Sequence, residues 1–175
     1  MRVVAGSAKG RRLVAPDGSD TRPTSDRVRE SIFNALYSMD TVDDVSVLDL
    51  FAGSGALGIE ALSRGARHCT FVEPSRSALE ALRANLTSTG LTAEATVVAV
   101  TAEAYLTRHP DPVDLALCDP PYAFEGWDAL LDALPAGLVV CESNRPIDPG
   151  QGWRVVRTRR YGGTVVTFAR PRPGG

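Results

Sequence analysis

The sequence predicts an α/β domain built on a mostly parallel, Rossmann-like, seven-stranded sheet with an antiparallel hairpin at one edge. Three observations carry this prediction. From residue 45 onward, short apolar runs typical of strands alternate with stretches of helical periodicity, an order that covers both faces of a parallel sheet with helices. A glycine-rich segment follows the first run, at the end of a strand where open α/β sheets bind ligands. The last two runs have no helix between them, so they should pair as the hairpin.

Residues 1–20 are predicted to form a small basic β-hairpin extension, and residues 21–175 the α/β domain itself. The hairpin is expected from two weakly alternating runs around Gly6 and Gly10. The 175 residues suffice for one hydrophobic core and are too few for two full domains. The domain is predicted to begin with a helix, because apolar residues recur at positions 28, 32, 36 and 39. Thr24 or Ser25 can cap this helix.

The elements that follow alternate regularly. Strands are expected over 45–50, 69–72, 96–100, 113–118 and 138–141, and helices over 54–64, 75–88, 102–108 and 125–134. Gly65 and Gly90 are expected to end two of these helices. The terminal hairpin pairs 153–158 with 164–169 through the turn at Tyr161-Gly162-Gly163.

Composition indicates a soluble, cytoplasmic protein. No apolar run approaches the roughly 20 residues of a membrane helix, and the N-terminus lacks the pattern of a signal peptide. Cys69, Cys118 and Cys141 are far apart and lie in or beside apolar runs, so reduced, buried thiols are expected. His68 and His109 have no second ligand nearby, so no metal site is predicted.

The net charge of −2 conceals an uneven distribution. Residues 1–30 hold seven basic and four acidic groups, and residues 151–175 hold six basic groups and no acidic one. The residues between them hold six basic and seventeen acidic groups. A polyanion would be attracted to both ends and repelled by the middle, although arginines at chain ends are also typical of ordinary solvated surface.

The segment over residues 48–60 predicts a site for a cofactor that contains adenosine. Gly53, Gly55 and Gly58 satisfy the G-x-G-x-x-G pattern after a strand. Glu73 lies twenty residues beyond Gly53, at the end of the second strand, where an acid would hold ribose hydroxyls.

Two details favour S-adenosylmethionine over a nicotinamide dinucleotide. Asp49 precedes the glycine loop, where a carboxylate suits a cationic amino acid moiety and would repel a pyrophosphate. The acidic middle of the chain also suits a sulfonium better than two phosphates. The candidate cofactor-binding residues are Asp49, Phe51, Ala52, Gly53, Ser54, Gly55, Leu57 and Glu73, with Ala102 and Glu103 after the third strand as neighbours of the adenine.

The loop Asp119-Pro120-Pro121-Tyr122 ends the fourth strand and predicts methylation of an exocyclic amino group on a base. The prolines stiffen the turn and leave the Pro120 carbonyl as an acceptor beside the Asp119 carboxylate. Two acceptors that hold both amino hydrogens would direct the nitrogen lone pair at the methyl group. Tyr122 offers a face on which the base can stack. All four residues are candidate catalytic residues. The carboxylate favours guanine as the base, because guanine offers two adjacent donors, N1–H and the N2 amino group. The same motif also occurs in enzymes that methylate adenine.

With these motifs in place, the chain resembles the RsmD family of small-subunit ribosomal RNA guanine-N2 methyltransferases. The resemblance extends over residues 2–6, 9–13, 21–34, 48–66, 71–73, 85–86 and 119–122. Its most specific part is the stretch Thr21-Arg22-Pro23-Thr24, because glycine loops and Asp-Pro-Pro-Tyr occur in many methyltransferases. One departure is Ala5-Gly6, where the family commonly has two glycines.

The resemblance implies a class I S-adenosylmethionine-dependent methyltransferase fold and transfer to the exocyclic N2 of guanine 966 in 16S rRNA. It also implies a monomer that recognises the 30S subunit or an assembly intermediate. The residues that would contact RNA phosphates are Arg2, Lys9, Arg11, Arg12, Arg22, Arg27 and Arg29.

Three other functions stay open on the sequence. An adenine-N6 methyltransferase acting on nucleic acid would keep the chemistry and change the base. An NAD(P)-dependent oxidoreductase would use the glycine loop but leave Asp119–Tyr122 and the basic ends without a role. A non-catalytic RNA-binding module for ribosome assembly would retain the fold and tolerate the loss of Asp119.

Overall fold

A computed structural model of the protein describes residues 1–17 and 25–174. Within these ranges the chain forms five α-helices and seven β-strands. The helices are α1 (Asp26–Ser38), α2 (Ala56–Ser63), α3 (Arg76–Thr89), α4 (Ala102–Leu106) and α5 (Trp127–Ala133). The strands are β1 (Ser46–Asp49), β2 (His68–Val72), β3 (Ala95–Val98), β4 (Val113–Cys118), β5 (Ala136–Ser143), β6 (Trp153–Tyr161) and β7 (Thr164–Pro171).

The strands form one sheet in the order β3-β2-β1-β4-β5-β7-β6. Strands β1 to β5 pair in parallel, and β7 pairs antiparallel with both β5 and β6. The predicted parallel sheet with an antiparallel edge hairpin is therefore confirmed. Since β2 and β4 pair on opposite sides of β1, the strand order reverses there. The loops after β1 and β4 diverge at such a switch point and leave a cleft at the carboxyl ends of the strands.

Helices cover both faces of this sheet, as the alternation of elements predicts. Helices α1, α2 and α3 pack on one face, where Ile32, Ile59 and Leu82 belong to a single buried cluster. Helices α4 and α5 pack on the other face through Leu106 and Leu130. Because both faces are covered, the carboxyl edge of the sheet is where a ligand can enter.

Residues 1–17 fold back on themselves and pack against the α1–α3 face. Arg2 and Arg12 form an isolated antiparallel bridge, and the Leu13 N–H donates to the Met1 carbonyl at 2.9 Å. The expected hairpin is thus present as a single bridge without extended strands. Val3 and Leu13 are buried in the same cluster as the three helices, so this segment is anchored by apolar contacts.

The predicted elements differ from the observed ones mainly at their ends. Ser25 caps α1, because its hydroxyl accepts from the Val28 N–H at 3.2 Å, whereas Thr24 lies outside the described residues. The strand expected over 96–100 stops at Val98, and the helix expected over 102–108 stops at Leu106. Strand β5 is longer than expected because it pairs with a neighbour on each side.

The cysteines are buried and unpaired, as predicted. Burial raises the pKa of the Cys69 thiol well above its ordinary value, so this group stays protonated and unreactive at neutral pH. His68 Nε2 lies 2.9 Å from Thr96 Oγ1. Among the described helices, none has the length and apolar character to cross a bilayer.

Candidate active site

The turn between β1 and α2 lies at the carboxyl edge of the sheet. It passes through Gly53 at φ +56° and Gly55 at φ +83°, a left-handed conformation that favours glycine. A Cβ added to Gly53 would meet no atom within 4 Å, so the space in front of this residue is open. The Gly53 N–H donates a hydrogen bond to Glu73 Oε2 at 2.8 Å. The turn therefore presents backbone that a ligand can approach closely.

Three carboxylates from different strands meet at this edge: Asp49 ends β1, Glu73 follows β2 and Asp119 follows β4. Asp49 is buried, and its Oδ2 accepts from the Gly58 N–H at 3.0 Å. Burial raises the pKa of Asp49 from 3.8 to about 7; the Gly58 N–H opposes this shift, and the charges of Asp119 and Glu73 add to it. The three carboxylates thus follow three neighbouring strands at one edge of the sheet.

The second oxygen of Asp49, Oδ1, is buried and has no hydrogen-bond partner within the described chain. Such an acceptor needs a donor from elsewhere. The carboxylate of Glu73 is fixed by the N–H groups of Gly53 and Ser75, both at 2.8 Å, and each oxygen can accept a further bond. An unsatisfied buried carboxylate oxygen, a second fixed carboxylate and an open glycine turn fit the ammonium and ribose groups of S-adenosylmethionine.

The other residues predicted to bind the cofactor border this turn or lie farther along the edge. The Ser54 carbonyl accepts from Asn85 Nδ2 at 2.9 Å, which fixes the turn to α3. Ala102 is buried and Glu103 is exposed at the start of α4, after β3. Because β3 lies beyond β2 in the sheet, these two residues flank the turn on the side of Glu73. Phe51, Ala52 and Leu57 lie in or directly after the turn, and of these only Phe51 is partly exposed.

The loop after β4 carries two consecutive prolines, Pro120 and Pro121, at the carboxyl edge of the sheet. Asp119 is half-buried, Pro120 is buried, and Pro121 and Tyr122 are exposed. The Pro121 carbonyl accepts from the Phe124 N–H at 2.8 Å, whereas the Pro120 carbonyl accepts from no backbone amide of the described residues. The Tyr122 hydroxyl lies 3.1 Å from Thr164 Oγ1, which ties the loop to the start of β7. Asp119 and Pro120 thus lie directly after β4, at the carboxyl edge of the sheet.

The two loops are in contact. The rings of Phe51 and Phe124 pack edge to face with centroids 5.3 Å apart. Strand register agrees, since Asp49 pairs with Leu117, two residues before Asp119. The structure therefore brings the glycine turn and the Asp119–Tyr122 loop together across one cleft.

Two side chains that support these loops were not predicted. Arg145, just beyond β5, donates to the carbonyls of Tyr122 at 3.3 Å and Phe124 at 3.1 Å. Asn85 donates to the Ser54 carbonyl and pairs with the backbone of Val14. The sequence offers a signal for Arg145, because this residue follows a strand predicted to be parallel. The signal for Asn85 was only its place in the resemblance.

Most of the predicted RNA-contacting residues lie on the surface. Arg2, Lys9, Arg11, Arg12 and Arg27 are exposed, and Arg2 Nη1 donates to the Gly10 carbonyl at 2.8 Å. Arg22 lies outside the described residues.

The prediction that Arg29 contacts RNA is wrong, because its side chain is fully buried. Its Nε lies 3.3 Å from Glu60 Oε2, and Nη2 lies 2.9 Å from Asp26 Oδ1 and donates to the Arg2 carbonyl. Glu60, also fully buried, further pairs with Arg64 at 2.9 Å. Arg29 thus joins α1, α2 and the N-terminal segment from inside the protein.

Comparison with known proteins assigns this architecture to a class. A parallel sheet with an antiparallel β6–β7 edge and a glycine turn after β1 is the α/β fold of class I methyltransferases, and solved structures agree. An Escherichia coli protein, yhhF, provisionally named a methyltransferase, superimposes with a TM-score of 0.84 at 35% identity over 98% of both chains.

Sequence comparison identifies the family. Residues 1–170 match the family described as conserved hypothetical protein 95. The Bacillus subtilis protein YlbH, provisionally named an rRNA methyltransferase, is 40% identical over 98% of this chain and 100% of its own length. Ribosomal RNA small subunit methyltransferase D of Haemophilus influenzae is 30% identical over 96% of this chain and 91% of its own. The chain belongs to this family, the RsmD family of rRNA methyltransferases.

Proposed function

We propose that this chain transfers the methyl group of S-adenosylmethionine to the exocyclic N2 of a guanine in 16S rRNA, guanine 966 of the small subunit. The observation that carries the proposal is the contact between the two loops at the carboxyl edge. Asp49 and the glycine turn stand on one side of the cleft, and Asp119 and Pro120 stand on the other. Family membership supports an rRNA substrate.

When bound, S-adenosylmethionine supplies a methyl group activated by its positive sulfonium. Asp49 Oδ1, which has no partner in the described chain, would accept from the ammonium of the donor. Glu73 would accept from the ribose hydroxyls, and the open space at Gly53 would admit the ligand against the backbone. Ala102 and Glu103 would lie beside the adenine.

Asp119 and Pro120 would orient the base. The carboxylate of Asp119 can accept from guanine N1–H and from one N2 hydrogen, and the Pro120 carbonyl can accept from the other. This geometry directs the nitrogen lone pair across the cleft toward the methyl group. Tyr122 would stack on the base once it leaves its helix or loop. The amine loses its proton only after methylation, so no base stronger than a carboxylate is required.

Adenine is disfavoured because its N1 is an acceptor, which a carboxylate would repel. The basic surface of Arg2, Lys9, Arg11, Arg12 and Arg27 would hold phosphates and position the RNA without reading its sequence. The substrate is expected to be the 30S subunit or an assembly intermediate, and the enzyme a monomer.

The test is to incubate the protein with labelled S-adenosylmethionine and small subunits that lack the modification, and to identify the labelled nucleoside by mass spectrometry. N2-methylguanosine is expected, and N6-methyladenosine would assign the other base. Asp119→Asn should bind the donor and lose methyl transfer by about 100-fold or more. Asp132→Asn, a change at an exposed carboxylate on α5, is the control and should act like the wild type. Binding of NAD with no binding of S-adenosylmethionine would refute the proposal.

A further inference from the structure

Strand β6 forms one edge of the sheet and carries four arginines, and none of them is among the residues predicted from the sequence to contact RNA. In the part of the chain that the structure describes, none of the four forms an ion pair with a carboxylate. By contrast, three of the six arginines between residues 31 and 150 pair with carboxylates, namely Arg64, Arg67 and Arg76. No acidic residue follows Asp148 in the sequence. The four arginines are Arg154, Arg157, Arg159 and Arg160.

Strand register fixes where these arginines lie along the edge. Arg159 pairs with Val166, which also pairs with Glu142 of β5. On β4 and β5, Cys118 pairs with Cys141. Asp119 and Glu142 each follow one of these paired cysteines, so they lie at the same level of the sheet. Arg159 is therefore level with Asp119, three strand spacings or about 14 Å away.

Arg160 follows Arg159 directly, so the two arginines place a positive charge on each face of the sheet at this edge. Consecutive strand residues point to opposite faces, so Arg159 and Arg160 project above and below the sheet. The following turn leads to Thr164, whose hydroxyl lies 3.1 Å from the Tyr122 hydroxyl. The turn between β6 and β7 thus borders the aromatic ring on which the base would stack.

We propose that Arg159 and Arg160 form a second rRNA-binding surface, which holds the sugar-phosphate backbone on the β6–β7 side of the target nucleotide. The inference rests on the proposed function and extends its substrate contacts. Guanidinium groups pair with phosphate through two parallel N–H donors, and exposed arginines that form no ion pair with a carboxylate attract a polyanion. The N-terminal segment and this edge would then hold the RNA on both sides of the cleft.

Charged residues on an edge strand also prevent two sheets from pairing edge to edge, so the test needs a control on the same hairpin. Arg154 pairs with Arg170 near the opposite, amino end of the sheet. It lies about 17 Å along the strand from Arg159, at five residues of roughly 3.3 Å each. The variants Arg159→Gln/Arg160→Gln and Arg154→Gln/Arg170→Gln therefore remove equal charge at the two ends of one hairpin.

The measurement is the Kd for small subunits that lack the methyl group, followed as a function of salt concentration. By counterion release, each phosphate contact raises affinity roughly four- to sixfold at about 0.15 M salt relative to 1 M salt. Losing two phosphate contacts should therefore raise Kd by about 15- to 30-fold. The slope of log Kd against log salt should fall by about 1.5–2. The Arg154→Gln/Arg170→Gln control should bind like the wild type.

A loss of affinity confined to Arg159→Gln/Arg160→Gln supports the surface. Equal losses in both variants would overturn it, because the effect would then reflect net charge alone, and so would wild-type affinity in both. Circular dichroism and S-adenosylmethionine binding report whether each variant is folded. Failure of this inference is separable from failure of the proposed function, since the wild type would still produce N2-methylguanosine.

Discussion

Asp49→Asn tests the buried carboxylate at the end of β1. The substitution keeps the size of the side chain and an oxygen that can accept from the Gly58 N–H, as Asp49 does at 3.0 Å. It removes the negative charge and places an amide where the unpartnered Oδ1 lies. At neutral pH we expect the variant to be more stable than the wild type and unable to bind S-adenosylmethionine.

The magnitude follows from the pKa of Asp49, which folding raises from 3.8 to about 7. Between these pH values the folded protein keeps a proton that the unfolded chain has released. The free energy of unfolding therefore falls by about 1.4 kcal/mol per pH unit as pH rises, to a total loss of about 4 kcal/mol that is complete above about pH 7. The variant has no such proton, so its stability advantage grows with pH over this window and then levels off.

The assay is urea unfolding of both proteins at several pH values between about 5 and about 8. Groups that do not interact with Asp49 cancel in the difference, which should grow by about 2.5 kcal/mol over this range. Calorimetry at neutral pH should show loss of affinity for S-adenosylmethionine. A stability difference independent of pH would refute the reasoning about the carboxylate, and retained affinity would remove Asp49 from the binding site.

Three other substitutions test packing, the buried ion pair and base stacking. Gly58→Ala should lower the free energy of unfolding by about 1–3 kcal/mol, because the new Cβ would lie 2.3 Å from the Phe71 ring; an unchanged urea midpoint would contradict this. Arg29→Met should cost up to about 3–5 kcal/mol in urea unfolding, since Glu60 loses one of its two cationic partners and keeps Arg64. Reduced RNA affinity without destabilisation would instead restore Arg29 as a surface contact. Tyr122→Ala should lower kcat/KM for rRNA by about tenfold or more, and Tyr122→Phe much less, because the ring supplies about 1–3 kcal/mol of stacking. Equal rates for both Tyr122 variants would argue against stacking.

The sheet and the position of its cleft were predictable because they follow from local patterns. Alternating apolar runs and helical periodicity define the order of elements, and right-handed parallel connections leave few ways to arrange them. The ends of strands β1 and β4 then coincide at the switch point, which places the glycine turn and the Asp119 loop together. Both the strand order and the position of the cleft therefore follow from the order of the elements along the chain.

The burial of Arg29 was not predicted because its partner is distant in sequence. Glu60 lies on another helix, and an arginine in a first helical turn is usually solvated. Helical spacing did hold a clue: Arg29 falls three and four residues before Ile32 and Phe33, on the apolar stripe of α1, whereas Arg27 falls on the exposed side. A charge on a buried stripe predicts an ion pair inside the protein, and Glu60 supplies it.

The N-terminal segment and the glycine turn are held by the same two helices. Glu60 on α2 accepts from the Val4 N–H at 2.9 Å, in the segment that carries the basic residues. Asn85 on α3 accepts from the Val14 N–H at 2.8 Å and donates to the Ser54 carbonyl at 2.9 Å. A displacement of the segment would therefore shift the turn as well. Because a misplacement of about 1 Å can cost about 100-fold in rate, this shared anchoring would, under the proposed function, couple the position of the RNA phosphates to that of the methyl donor.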